Sequence, residues 1–119
     1  MGGHTMKIDR SLLSGSTTML ILRLLETVDM YGYQMIEQME RQSENAFSLK
    51  AGTLYPLLHG LERREMITSY DIEAGGARPR RYYQLTRKGR TLLADKKTEW
   101  DAYVAAVNRV MGGPVYVTV

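Results

Sequence analysis

The sequence has no cysteine, one tryptophan, one phenylalanine and two histidines. The missing cysteine excludes a disulfide framework, a thiolate metal site and a cysteine nucleophile. His59 has only His4 for company, so a histidine-based metal site is not expected. No apolar run approaches the ~18 residues a membrane span needs, and no basic-then-apolar leader opens the chain. Enzymatic signatures are absent too: there is no Gly-rich phosphate loop after a strand and no nucleophile elbow, and Ser14-Gly15-Ser16 reads as the approach to a helix. We expect no catalytic residues, no cofactor and no metal, and a cytoplasmic location. There are no internal repeats and no low-complexity segments.

The 119 residues suit one domain. Met1 to Thr5 are expected to be a cloning remnant, with Met6 the native start. The net charge of +3 is small, but its distribution is uneven. Residues 1–45 carry four basic and six acidic side chains, net −2. Residues 46–90 carry nine and four, net +5, and residues 91–119 carry three of each. From Arg78 to Arg90 there are six basic side chains and no acid. Such a patch is either a solvated strip or a local contact for an anionic partner.

Periodicity supplies the elements around it. Ser16 and Thr17 offer caps to a first helix, where Leu20, Ile21, Leu24, Leu25 and Val28 share one face. Met19 and Leu22 fall on another face, so this helix is central or covered by a second subunit. Asp29 to Gly32 reads as a turn. A second helix follows from Gly32 to Arg41, with Met35, Ile36 and Met39 inward, and a linker then tucks in Phe47 or Leu49. The third helix spans Ala51 to Glu65. Leu54, Leu57, Leu58 and Leu61 line one side, and Thr53, Tyr55, His59 and Arg63 occupy the other. Pro56 removes a backbone donor in its second turn.

Residues 66–72 suit a strand, Ala74-Gly75-Gly76-Ala77 a tight reversal, and Arg80–Leu85 the returning strand. Thr86 is placed to cap a last helix from Arg87 to Met111. Trp100, Tyr103, Val104, Val107, Val110 and Met111 form a stripe along it. At 1.5 Å per residue that helix is roughly 37 Å long, against a diameter of about 26 Å for the preceding domain. Its far end needs a partner chain. Gly112-Gly113-Pro114 stops it, and Val115–Val119 is an apolar, β-prone tail that either pairs or is disordered.

Three helices followed by a hairpin with a basic tip is the order of a winged helix-turn-helix. The fold expected is mainly α with a small β-hairpin: a DNA-binding domain over residues 6–86, a dimerisation helix over 87–111 and a tail over 112–119. In that fold the third helix meets base edges in a major groove about 12 Å wide. The hairpin brings Arg78, Arg80 and Arg81 to phosphates or the minor groove. Lys50, Thr53, Tyr55, His59 and Arg63 are the candidates on the helix. Tyr55 has a plainer reading as a half-buried packing residue. Tyr82 and Tyr83 alternate faces, which puts one in the core and the other near DNA.

From about Leu12 to Met111 the sequence resembles the PadR family of bacterial transcriptional regulators. The resemblance rests on Leu20-Ile21-Leu22-Arg23-Leu24-Leu25, Tyr31-Gly32-Tyr33-Gln34-Met35-Ile36, Gly52-Thr53-Leu54-Tyr55-Pro56-Leu57-Leu58 with Leu61-Glu62, and Arg81-Tyr82-Tyr83-Gln84-Leu85-Thr86-Arg87-Lys88-Gly89. The single C-terminal helix resembles the family's short branch. The resemblance implies a homodimeric repressor that binds a palindromic double-stranded operator and is often relieved by a small molecule. It also implies a phosphate contact for Tyr33, whose plainer reading is core packing. Lys50 departs from the pattern, because a small polar cap commonly stands there.

Trp100 reads most simply as dimer packing. Resemblance to multidrug-sensing relatives suggests a second role, in which two Trp100 side chains across a twofold axis stack a small aromatic effector. Met19, Leu22, Asp101, Val104 and Val107 are its candidate neighbours. Anion-sensing and phenolic-acid-sensing pockets stand as alternatives. A DNA-binding architectural module without a ligand and a pure protein-interaction domain are competing functions. The acid-free basic run argues against the latter.

Overall fold

The computed structural model describes residues 6–73, 75–76 and 78–112. The expected remnant at 1–5, the Gly113-Pro114 stop and the tail lie outside them. A short helix α1 (Arg10–Ser14) opens the fold. It is followed by α2 (Thr17–Thr27), β1 (Met30–Tyr31), α3 (Gly32–Gln42), α4 (Ala51–Arg63), β2 (Ile67–Ile72), β3 (Arg80–Leu85) and α5 (Arg87–Met111). The fold is mostly helical with a small antiparallel sheet, a winged helix.

Two elements were not expected. Asp9 caps α1, its carboxylate accepting the Ser11 N–H at 2.8 Å. The segment Asp29 to Gly32 is not a turn, because Met30 and Tyr31 pair with Tyr83 and Tyr82. The expected hairpin is therefore a three-stranded sheet in the order β1-β3-β2. A two-residue strand has no period of its own, so only its tertiary partner defines it.

The core joins α2, α3, α4 and the inner face of the sheet. Ile21, Leu22, Leu25, Met35, Leu54, Leu58 and Ile67 are sealed from solvent, and Tyr83 of the central strand is buried among them. Leu49 is buried and Phe47 packs at the margin, so the α3–α4 linker contributes both. Val28 does not share the α2 face. It follows the helix in extended conformation and is exposed. Ser16 stands at the N-cap of α2 without capping it; its hydroxyl and that of Thr17 donate instead to the Leu13 carbonyl.

Helix α4 stops two residues earlier than its apolar pattern implies. Glu65 adopts a left-handed φ of 64°, and the Met66 N–H returns to the Leu61 carbonyl at 2.9 Å. Thr86 caps α5, accepting the Gly89 N–H at 3.0 Å. Its hydroxyl also sits within hydrogen-bonding reach of the Glu65 and Met66 carbonyls, at 2.8 and 2.9 Å. Gly89 lies directly against the Met66 carbonyl, where a β-carbon would clash. The start of α5 is thus fastened to the α4–β2 corner.

Candidate functional site

The exposed side of α4 is the first surface of interest. Leu54, Leu58 and Leu61 anchor the helix inward, which turns Thr53, His59 and Arg63 to solvent. Lys50 is exposed at the N-cap and makes no side-chain cap bond, as expected of a residue without an acceptor oxygen. Gly52 and Pro56 are exposed on the same side, so the backbone there is lightly covered.

Tyr55 is half-buried at the edge of this surface. Its ring packs on Gly32, at the start of α3, where any side chain would strike the phenol. Burial, with a smaller contribution from Tyr33, holds the Tyr55 hydroxyl above its ordinary pKa. Tyr33 itself is 66% exposed, outside the core and near enough to Tyr55 to act on its hydroxyl. In α3 the Gln34 side chain accepts the N–H of the N-cap residue Tyr31 at 3.1 Å, fixing the first turn of the helix, which carries Tyr33.

The hairpin of β2 and β3 forms the wing. Gly75 and Gly76 hold φ values of 38° and 81° at its tip, a region open to glycine at little cost. Arg78, Arg80 and Arg81 are all exposed, but they point differently. Arg81 lies on the sheet face turned toward α4 and pairs with Asp71 at 3.4 Å. Arg80 lies on the opposite face, its guanidinium 4.7 Å from the centre of the Tyr31 ring. The inner face is tied to α4 by the Ser69 hydroxyl, which donates to Glu62.

A second surface involves α5. Trp100, Tyr103, Val107, Val110 and Met111 are exposed along it. Trp100 and Tyr103 stand with ring centres 5.8 Å apart. They border a cleft of about 700 Å³ whose lining also includes Leu12, Met19, Leu20, Phe47, Lys96 and Glu99. Met19 shares a wall with Trp100. Leu22 does not: it is fully buried in the core, because α2 is covered by α3 on one side and by α5 on another. Asp101 is exposed and pairs with Lys97 at 2.9 Å. Asp101, Val104 and Val107 are absent from the cleft wall. Residues Leu12 and Phe47 were missed by sequence reasoning. The Asp9 cap is the one local signal for α1.

Residues 21–95 match the family model described as "Transcriptional regulator PadR-like family". The chain belongs to the PadR-like family. A protein of Lysinibacillus sphaericus is 32% identical to this PadR-like chain over 104 residues, covering 86% of it and 94% of the relative. The Escherichia coli transcriptional regulator YqjI is 26% identical over 85 residues, and the match spans only 39% of its length. A transcriptional regulator from Clostridium thermocellum superposes with a TM-score of 0.79 at 27% identity, over 91% of this chain and 99% of that one. A PadR family regulator from Clostridium difficile is 35% identical, with a TM-score of 0.69 over 83% and 100%. The Escherichia coli, Clostridium thermocellum and Clostridium difficile proteins are transcriptional regulators. Among the described residues of this PadR-like regulator, no helix is long and apolar enough to cross a membrane, and no group of three or more ligating side chains could hold a metal ion.

Proposed function

We propose that this PadR-like regulator is a cytoplasmic, homodimeric, sequence-specific DNA-binding repressor that a small aromatic effector releases from its operator. The observation that carries the DNA-binding reading is the combination of three exposed features. These are the open side of α4 with Lys50, Thr53, His59 and Arg63, the exposed Tyr33, and Arg78 and Arg81 of the wing. Helix α4 enters the major groove, Tyr33 and Lys50 meet phosphates, and Arg78 and Arg81 follow the backbone beside it. Tyr55 supports the site from its edge by seating α3 against α4.

The Arg81–Asp71 pair suits this role. Both side chains are more than half exposed, so the pair is worth about 0–1 kcal/mol and is readily exchanged for a phosphate. The apolar stripe on α5 supports a homodimer, and two copies would read half-sites about 34–36 Å apart. Trp100 and Tyr103 in the lining of the cleft support an aromatic effector, because flat rings stack on flat rings.

Footprinting upstream of the protein's own gene, with and without planar aromatic compounds, tests this reading. A palindromic footprint that the compound removes is expected, together with quenching of Trp100 fluorescence that Trp100→Ala abolishes. Binding no tighter than to random DNA at about 150 mM salt would refute sequence-specific regulation. A footprint that no compound alters would leave an architectural DNA-binding module.

A further inference from the structure

The outer face of the small sheet carries an arrangement that DNA docking alone does not use. Tyr31, Tyr82 and Tyr70 stand side by side across β1, β3 and β2. Tyr31 meets Tyr82 edge-on with centres 5.3 Å apart, and Tyr82 stacks on Tyr70 at 5.9 Å and 15°. Each end of this row is closed by a charged group. At one end Arg80 covers the Tyr31 ring at 4.7 Å. At the other the Tyr70 hydroxyl donates to Asp29, which lies between the end of α2 and β1.

This row joins parts of the chain that are remote in sequence. Tyr70 and Asp29 are 41 residues apart. Asp29 and Tyr31 flank the junction of α2 and α3, whereas Tyr70, Arg80 and Tyr82 belong to the wing. A two-stranded hairpin is marginal on its own, and the two-residue strand β1 adds few ladder bonds. The outer face therefore supplies a second set of ties between wing and helices, opposite the Glu62–Ser69 tie on the inner face.

We infer that Asp29, Tyr70, Tyr82, Tyr31 and Arg80 form a bracket that fixes the wing's angle to α4, with Arg80 a positioning residue rather than a phosphate contact. The functional half rests on the DNA-binding reading above; the bracket itself does not. Arg80 is on the face turned away from α4, and its guanidinium is already engaged with an aromatic ring. Arg81, one residue on, faces α4, and Arg78 lies nearer the wing tip. The bracket divides the three wing arginines into one that holds and two that touch.

Two measurements on the full chain test this, using Arg80→Gln, Tyr31→Leu, Tyr70→Phe, Asp29→Asn and Arg78→Gln. The first is amide hydrogen exchange over residues 67–85, without DNA. Opening should be about two- to fivefold faster in Arg80→Gln and Tyr31→Leu, the range expected from losing an exposed cation–π contact, faster also in Tyr70→Phe and Asp29→Asn, which remove or weaken the hydrogen bond at the other end, and unchanged in Arg78→Gln. Arg80→Gln combined with Tyr31→Leu should exchange no faster than Tyr31→Leu alone, because that variant already removes the ring Arg80 covers. The second is the salt dependence of binding to a fluorescent fragment from the protein's own promoter. Arg78→Gln should lower the logarithmic salt slope by about one, and Arg80→Gln should weaken binding with the slope unchanged. Unaltered exchange in the bracket variants overturns the bracket. A slope lowered by about one in Arg80→Gln overturns its positioning role. A parent protein that ignores this DNA would instead count against the repressor reading, and exchange would still decide the bracket.

Discussion

The Tyr55 phenol of α4 rests directly on the backbone of Gly32, the first residue of α3. This contact explains why glycine stands between two tyrosines: position 32 needs the absence of a β-carbon rather than an unusual φ. Gly32→Ala should destabilise the protein by about 1–3 kcal/mol through overpacking, despite alanine's better helix propensity. Thermal melts would measure this. Gly32→Ala combined with Tyr55→Leu should lose less than the sum of the single changes, since the second removes the obstacle. Strict additivity would show that the two residues do not compete for space.

Lys50 stands where a capping oxygen would stabilise α4. Lys50→Ser should raise stability by about 0.5–2 kcal/mol, the usual worth of an N-cap. It should also remove one cation from the DNA-facing side and lower the salt slope by about one. Chemical denaturation and binding titrations at several salt concentrations would read the two effects separately. A stabilised variant with an unaltered slope would remove Lys50 from the phosphate contacts.

The contrast between α5 and β1 shows what the sequence carries. Helix α5 was legible to the residue, from Thr86 to Met111, because its cap, its stripe and its glycine stop are all local signals. So was the split between Tyr82 and Tyr83, which follows from strand alternation. Met30–Tyr31 was illegible as a strand, because its only reason to be extended is the edge of β3 brought to it by folding. Leu22 was misplaced for a related reason. Helix α2 is apolar around most of its circumference, and periodicity cannot say which side faces a partner subunit and which meets α3. The cleft was only partly foreseeable, since Leu12 and Phe47 reach it through a five-residue helix and a linker. On the DNA side, helical spacing selected the open residues of α4, but nothing in the sequence distinguished Arg80 from its neighbours. That distinction appears only when β1 places Tyr31 beneath it.

Burial holds the Tyr83 hydroxyl above its ordinary pKa, opposed in part by Arg81. The folded state therefore keeps a proton that the unfolded chain releases first, near pH 10. Stability from this group is fully present below that pH and is lost as pH rises through the higher folded value. Urea midpoints between about pH 9 and 11 should fall as pH rises, and Tyr83→Phe should flatten the decline. An equally steep decline in Tyr83→Phe would assign it to other groups, such as Tyr55, which is raised by burial in the same way.

The apolar stripe of α5 predicts the oligomeric state most directly. Tyr103 is 57% exposed, and Val110 and Met111 are 86% and 75% exposed, an outlay of apolar surface that a lone domain does not need. A stable interface removes about 800 Å² from each partner, and a charge set into its centre is left without a partner. Val107→Glu should shift sedimentation from dimer to monomer. The winged-helix core should stay folded by circular dichroism, because the buried residues of α5, Gly89 and Leu93, are confined to its first turns. Trp100 emission should move to the red as the indole meets water. Operator affinity should fall sharply, since each monomer would then hold a single half-site. A variant that sediments as a dimer at micromolar concentration would place the interface elsewhere on the molecule.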